Sequence, residues 1–243
     1  MLFAMRFLFL LMVALPGFVA AQAPGITGIA HIAIHTTDLP RSVDFYQKLG
    51  FEQAFDFHKD NITLEAFLKI NDRQFLEIYP ALTAGFMHVC FESADMAKLN
   101  WDYQGLSPTR VKRAGAGNLL FTMTGPEQQN IEFTQYMAGS RHTNDQGKHL
   151  GEHRISDRIL GVMIPMKDPV AAKSFYERKL QFSPSQQMVS FGSTFELLFA
   201  VTNLRSTAAR LNALQIRSTR QGANLTIHDP DGNQIVFVGI QPR

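Results

Sequence analysis

Cysteine is almost missing from this chain. One residue, Cys90, occurs in 243, so no intramolecular disulfide can staple the fold. A basic surplus is missing too. Lys and Arg number 23 against 21 Asp and Glu, a formal net charge of +2. Proteins that neutralise nucleic-acid phosphates carry a larger excess, so no nucleic-acid partner is expected. Charged residues make up 18% and apolar residues 45%. That is ordinary globular composition, and it excludes disorder, collagen-like repeats and coiled coil. Beyond the first twenty residues no apolar run is long enough to span a bilayer. The length fits one or two domains.

The apolar exception, Met1–Ala21, reads as a secretory signal peptide. Arg6 gives a short positive region, Phe7–Leu15 an unbroken apolar run, and Pro16-Gly17 ends it. Val19-Ala20-Ala21 supplies the small residues of a cleavage site, which is placed after Ala21 because Pro24 disfavours a later cut. The run is about 14 Å long as a helix, against a hydrocarbon core of ~30 Å. An uncleaved anchor is the alternative. The mature chain is therefore expected to be secreted or periplasmic, with no membrane contact after cleavage. The scarcity of cysteine accords with an oxidising compartment.

The remaining charge is unevenly divided. Residues 22–138 hold 9 basic and 13 acidic residues, net −4, and residues 139–243 hold 13 and 8, net +5. Two halves that dock electrostatically are expected, with any cation site in the first.

Four segments share one order: strand, polar turn, amphipathic helix, strands. The first opens at Gly28–Ile34, with Asp38 as N-cap, Pro40 in the first turn, and Val43, Phe45, Tyr46 and Leu49 on the helix before Gly50. The second opens at Phe86–Phe91. The third opens at Ile159–Ile164, where Asp168 and Phe175-Tyr176 repeat Asp38 and Phe45-Tyr46 at an offset of 130. The fourth ends in a turn, Asp229-Pro230-Asp231-Gly232-Asn233, and the strand Gln234–Ile240. The third is short: Phe182 to Phe195 spans 13 residues, where Phe51 to Phe86 spans 35, so at least one strand is expected to be lost. Residues 139–157 read as a polar linker. Its His142, His149 and His153 are solvated side chains or, alternatively, part of a loop capping the site.

Side chains of a strand alternate faces. With Ile32 and Ile34 toward the helix, His31, Ala33 and His35 point the other way. Leu76 and Ile78 leave Phe75, Glu77 and Tyr79 opposite. Val89 and Phe91 leave His88, Cys90 and Glu92, and Ile131 and Phe133 leave Glu132, Thr134 and Tyr136. Each of the first two segments thus sets one His and one Glu on the face away from its helix, spaced 46 and 44 apart. Two such sheets facing each other bring His31, Glu77, His88 and Glu132 together. Two imidazoles and two carboxylates are costly to bury alone and well suited to one divalent metal ion: Zn²⁺, Ni²⁺, Mn²⁺, Co²⁺ or Fe²⁺. His35 is read as rim and Cys90 as a small apolar filler.

These residues resemble a known group, the vicinal oxygen chelate superfamily of glyoxalases, extradiol dioxygenases and fosfomycin or bleomycin resistance proteins. The stretch from His31 through Asp38, Arg41-Ser42, Phe45-Tyr46 and Leu49-Gly50-Phe51 is similar to the family's opening module. The resemblance implies an α+β fold of tandem βαβββ modules, in two module pairs with the third module shortened. The pairs are a half with the metal site, 22–138, and a degenerate half without ligands, 158–243. It implies His31, His88 and Glu132 as ligands, and Glu77 as the fourth ligand of glyoxalase I-like members. The chain departs from the pattern at Gly125–Asn130, which replaces the usual Asp-Pro-Asp-Gly turn, and at Thr36. It departs again at Gly161, Glu196 and Val236, which take ligand positions in the second half.

Four ligands favour a glyoxalase-like isomerase, epimerase or lyase that removes a proton beside a carbonyl of a chelated small molecule, with Glu77 or Glu132 as base. A cytosolic thiol cofactor makes glyoxalase I itself a poor match for an exported protein. An extradiol-type Fe²⁺ dioxygenase and a non-catalytic small-molecule binding or resistance protein are the alternatives, and Glu77 as a ligand argues against the dioxygenase. Arg110, Lys112 and Arg113 are expected to grip an anionic substrate or to form a solvated edge. Phe55, Phe57, Phe75, Tyr79 and Tyr136 line a pocket or fill a core. His58 has no argument beyond its place near a strand end. The assembly is expected to be a monomer or a homodimer.

Overall fold

The computed structural model describes residues 25–183 and 188–241; the expected signal peptide, Met1–Ala21, lies outside the described residues. The first module starts with β1 (Ile26–Thr36) and α1 (Leu39–Lys48). Asp38 caps α1 by accepting from Arg41 N, with Pro40 in the first turn. Strands β2 (Gln53–Lys59), β3 (Ile62–Asn71) and β4 (Gln74–Pro80) follow. The second module is β5 (Gly85–Ser93), α2 (Met96–Asp102), β6 (Lys112–Arg113), β7 (Leu119–Thr124) and β8 (Asn130–Gln135), with Asp95 capping α2. A short helix, α3 (Arg141–Asn144), comes next. The second half holds β9 (Ile159–Pro165), α4 (Pro169–Arg178), β10 (Val189–Gly192), β11 (Glu196–Val201), α5 (Leu204–Ala213), β12 (Thr219–Gln221), β13 (Asn224–His228) and β14 (Gln234–Gly239).

The strands form two curled sheets, one per half. The first has eight strands in the order β2-β3-β4-β1-β5-β8-β7-β6, the second six in the order β10-β9-β11-β14-β13-β12. The centres match. β1 runs parallel to β4 and antiparallel to β5, as β9 does to β10 and β11. Among the described residues the second sheet has no counterpart of β2 and β3, so the shortened third module has given up its outer hairpin.

Register decides which side chains meet. His31 lies opposite Cys90, Ala33 opposite both His88 and Glu77, and Cys90 opposite Glu132. Directly opposed residues share a face, so His31, Glu77, His88 and Glu132 all project from one side of the sheet. A bulge makes this possible. Between Ile29 and His31 the β1–β5 register slips by one residue, so Ile29 stays in the core with Phe91 while His31 turns to the open face.

The halves dock through one continuous core, in which Phe51 stacks on Phe199 and Phe91 meets Phe182 edge-on, with ring centroids 5.1 and 4.7 Å apart. The turn of each half reaches the helix start of the other. Asp231 accepts from the Thr36 and Thr37 hydroxyls at the start of α1, and Glu127 accepts from Asp168 N at the start of α4, 2.9 Å away. Docking of an acidic on a basic half was expected, yet no salt bridge among the described residues joins 22–138 to 158–243. Side-chain carboxylates bonded to backbone and hydroxyl groups do this instead. The segment 139–157 is also no solvated tether. It crosses α1's end so closely that a Cβ on Gly50 (φ +91°) would stand 2.6 Å from Arg154 Cα, and Ile155 N donates to Leu49 O at 2.8 Å.

The repeat is imperfect at one tyrosine pair. Buried Tyr46 donates its hydroxyl to Asp229 Oδ2 at 3.1 Å. Its counterpart Tyr176 meets Gln129 without a hydrogen bond of normal geometry. In urea denaturation Tyr46→Phe is expected to cost ~1–2 kcal/mol, since it leaves a buried carboxylate short of a donor, whereas Tyr176→Phe should stay within ~0.5 kcal/mol of the unaltered protein. Equal costs would show that the Asp229 contact does not anchor this interface.

Candidate metal centre

At the centre of the eight-stranded sheet, three side chains converge. His31 Nε2 lies 3.0 Å from His88 Nε2 and 3.4 Å from Glu132 Oε1, and His88 Nε2 lies 3.9 Å from Glu132 Oε2. His31 and His88 are buried and Glu132 nearly so. Around a divalent ion with bonds of ~2.0–2.2 Å to nitrogen and oxygen, neighbouring donors stand ~3.0–3.4 Å apart. Two of the three separations match and the third is slightly wide. This set can hold one divalent ion, and two of its members, His31 and Glu132, line an adjoining pocket.

Glu77 does not join them. Its Oε1 sits 3.0 Å from His31 Nδ1, the nitrogen pointing away from the cluster. With Nδ1–H donating to this carboxylate, the neutral His31 ring presents its lone pair at Nε2. The structure thus sets Glu77 beside His31 and outside the three-residue cluster. Tyr79 bridges the next step, with its hydroxyl bonded to Glu65 and also 3.1 Å from Glu77 Oε2.

The electrostatics follow from burial and these contacts. Burial pulls His31 down, but the Glu77 and Glu132 carboxylates outweigh it and raise its pKa. Burial lowers His88 to about 4 and leaves its Nδ1 without a partner among the described residues. Burial pushes Glu77 up to about 8. Glu132 resists the same burial because the bond to His31 and the two imidazoles hold it below the ordinary carboxylate value. A metal ion entering here competes with protons for His31.

The cluster opens into a pocket of about 540 Å³. Phe57, Phe67, Leu64 and Leu120 give it apolar walls, with Tyr79, Tyr136 and Asn118 among its polar lining. Part of the expected linker closes it. His142, on α3, is packed among Phe55, Phe67, Phe75 and Tyr136, with ring centroids 4.7–5.5 Å away. Asn118 accepts from Met137 N through Oδ1, which turns its Nδ2 to donate to His142 Nδ1 at 2.9 Å. That bond leaves the proton of the neutral ring on Nε2. Burial lowers this imidazole to about 3. Lys69 tethers the segment from below. Fully buried on β3, its Nζ bonds Asp145 O at 2.5 Å, Asp145 Oδ2 at 2.9 Å and Asp72 Oδ1 at 2.8 Å.

Of the remaining expected substrate contacts, Tyr79 and Tyr136 line the pocket; the Tyr136 hydroxyl donates to Arg73 O at 3.0 Å. Arg110 and Lys112 do not reach it. Both are exposed, Lys112 on the edge strand β6, where charge keeps a strand from pairing. His35, half-buried at the end of β1, and exposed His58, His149 and His153 also lie outside the lining. Glu65 and Asn118 were not singled out in the sequence. Alternation along β3 could have found Glu65, since Glu65, Phe67 and Lys69 share the open face. Asn118 has no such signal. In the second half, register puts Gly161, Ser190, Glu196 and Val236 where His31, Glu77, His88 and Glu132 stand, a set with no imidazole.

Mass spectrometry of protein reloaded with Zn²⁺, Ni²⁺, Mn²⁺, Co²⁺ or anaerobic Fe²⁺ should find about one ion per chain, absent from His88→Ala and Glu132→Ala. Glu77→Ala should keep the ion and bind it ~10–100-fold more weakly, the usual effect of losing an orienting partner. Loss as complete as in Glu132→Ala would make Glu77 a ligand after all.

Comparison with known proteins agrees with this architecture. A sequence model of the Glyoxalase/Bleomycin resistance protein/Dioxygenase superfamily matches residues 28–133. No curated protein matches the chain. Among solved structures, the 2,3-dioxygenase LapB from Pseudomonas sp. KL28 superposes with a TM-score of 0.70 at 16% identity, covering 91% of this chain and 95% of that one. An extradiol ring-cleaving dioxygenase from B. fuscum gives 0.69 at 17%, covering 92% and 74%. The Mn(II)-bound glyoxalase from Novosphingobium aromaticivorans gives 0.70 at 12%, covering 88% and 82%. At these identities the structures share the fold, and the sequence match assigns residues 28–133 to a domain of the Glyoxalase/Bleomycin resistance protein/Dioxygenase superfamily.

Proposed function

We propose that this protein is a metal-dependent enzyme of the extradiol dioxygenase type, acting on a small, flat molecule with two adjacent ring oxygens. One observation carries the reading. Glu77 bonds His31 Nδ1, so only His31, His88 and Glu132 face the cluster. Two imidazoles and one carboxylate with open positions are the donor set of non-haem Fe²⁺ oxygenases. The objection that a fourth protein ligand would block substrate oxygens therefore loses its basis. The apolar walls suit a planar ring, and a dioxygenase reaction would break a ring C–C bond beside the diol with both atoms of O₂ entering the product. The structural likeness to extradiol enzymes accords with this reading but does not carry it.

Bound Fe²⁺ would supply Lewis-acid and redox chemistry at the open positions. The chain's own residues do the rest. His31 and His88 offer neutral nitrogen donors, and Glu77 keeps the His31 ring in the tautomer that does so. α3 adds His142 to one wall of the pocket, where burial strengthens the polar contacts of that ring. His142 keeps its proton on Nε2, as a donor for a substrate oxygen. A cleaved leader at Met1–Ala21 would place this chemistry outside the cytoplasm.

A glyoxalase-like proton abstraction is the second reading. Its specific support is the buried carboxylate of Glu77, raised to about 8 on the same face of the sheet, which is the range of a working general base. Fe²⁺-loaded protein given catechol and air should consume O₂ and form a coloured ring-opened product, while Zn²⁺-loaded protein should not. No oxygen uptake, with metal-dependent exchange of a proton beside a carbonyl in D₂O, would overturn the dioxygenase reading in favour of the second.

A further inference from the structure

The polar chain behind His31 runs past Glu77 and back into the pocket. Glu77 Oε1 accepts from His31 Nδ1 at 3.0 Å. Glu77 Oε2 lies 3.1 Å from the Tyr79 hydroxyl, and that hydroxyl is also bonded to Glu65. Counting protons decides what these groups are. A tyrosine hydroxyl has one proton to donate. It serves one carboxyl, so the contact with the other needs a second proton, which only a carboxyl can carry. One of the two carboxyls is therefore a neutral acid.

Burial raises both Glu65 and Glu77 toward that form. Their partners separate them. Glu77 answers the Nδ1 proton of His31, and a cation at Nε2 of that ring strengthens its hold on a carboxylate. Glu65 has no ion-pair partner among the described residues. Arg141, over the Phe57 ring, donates instead to Asp56 O. With a metal ion present the proton thus falls to Glu65, which donates to Tyr79 while Tyr79 donates to Glu77. Glu65 stands opposite Phe57 across the β2–β3 pair and lines the pocket.

We propose that Glu65 is a catalytic acid of this site, a neutral carboxylic acid in the pocket wall that hands its proton to an oxygen of the bound molecule. The inference rests on the dioxygenase reading and names a proton donor for it. A chelated ring diol gives up a hydroxyl proton to solvent, and the ring-opened product takes one back. In that transfer the Glu65 O–H bond breaks, an O–H bond forms on the product, and the electron pair stays on Glu65 as a carboxylate. Solvent returns the proton once the product has left.

The first readout needs no turnover. Infrared difference spectra of Zn²⁺-loaded protein against its Glu65→Gln variant at neutral pH should show the C=O band of a protonated carboxylic acid, shifted in D₂O, in the unaltered protein alone. Glutamine keeps a neutral group with a donor for Tyr79. The variant should therefore still bind Zn²⁺, and bind catechol within about twofold of the unaltered affinity. Loaded with Fe²⁺, it should turn catechol over about 100-fold more slowly, a loss in kcat rather than in binding. An acid band missing from the unaltered protein, or kept in Glu65→Gln, would overturn the neutral state of Glu65. Unchanged turnover in Glu65→Gln would overturn its role as acid. Both results leave the dioxygenase reading standing. Catechol neither bound nor oxidised by the unaltered metal-loaded protein would sink that reading, and the acid role with it.

Discussion

Two buried imidazole nitrogens pointing at each other from 3.0 Å are the constraint around which the rest of this molecule is arranged. Both rings cannot offer lone pairs to that gap without a proton or a cation between them. Burial drives His88 toward its neutral form, while Glu77 and Glu132 draw charge toward His31. The gap is therefore polarised to accept something positive. Three features of the fold keep it that way. The slip at Ile29–His31 turns His31 onto the open face, the Glu77 bond sets which nitrogen faces the gap, and the sheet buries both rings.

The two halves divide their labour by what each has kept. Both keep the central strand pairing and the reciprocal contacts between turn and helix start, because those hold one half against the other. Among the described residues only the first has the outer strands β2 and β3, and these supply the far wall of its pocket through Phe57, Leu64, Glu65 and Phe67. Without that hairpin, the second sheet could not enclose a comparable space even if its ligand positions were restored. Loss of imidazoles at Gly161 and Glu196 and loss of the hairpin are therefore consistent with one another. The second half serves as a platform, and Tyr46 on Asp229 shows how it supports the helix that backs the metal-facing strand.

Much of this was legible in the sequence because strands impose a period of two. That rule alone put His31, Glu77, His88 and Glu132 on one face, and the spacing of Phe182 and Phe195 showed that strands were missing. It could not show which atom of a ring a carboxylate would meet. A ligand and a residue beside a ligand occupy the same strand position and differ by a few ångströms, and only the structure sets Glu77 on the far nitrogen of His31. Net charge misled in another way. The acidic and basic halves suggested ion pairing, but the contacts that formed are carboxylates on backbone and hydroxyl donors, which composition does not count. The polar, glycine-marked stretch 139–157 read as linker for the same reason. Its buried contacts come from single residues, His142 and Asp145, with no periodicity to announce them.

That stretch also explains how a pocket can be finished by residues outside the recognisable module. The superfamily match ends at residue 133, and the strands up to that point build an open cup. Closure comes from α3, held by Asp145 against a lysine that is wholly buried. A buried charge is expensive unless every bond is met, and Lys69 meets its obligations only when the segment is in place. Seating the segment and satisfying the lysine are thus one event. The same event brings His142 against the aromatic wall and fixes its tautomer through Asn118. In this chain the pocket is thus finished by the segment that follows the last strand of the matched module, through one ring, His142, and the lysine that seats it.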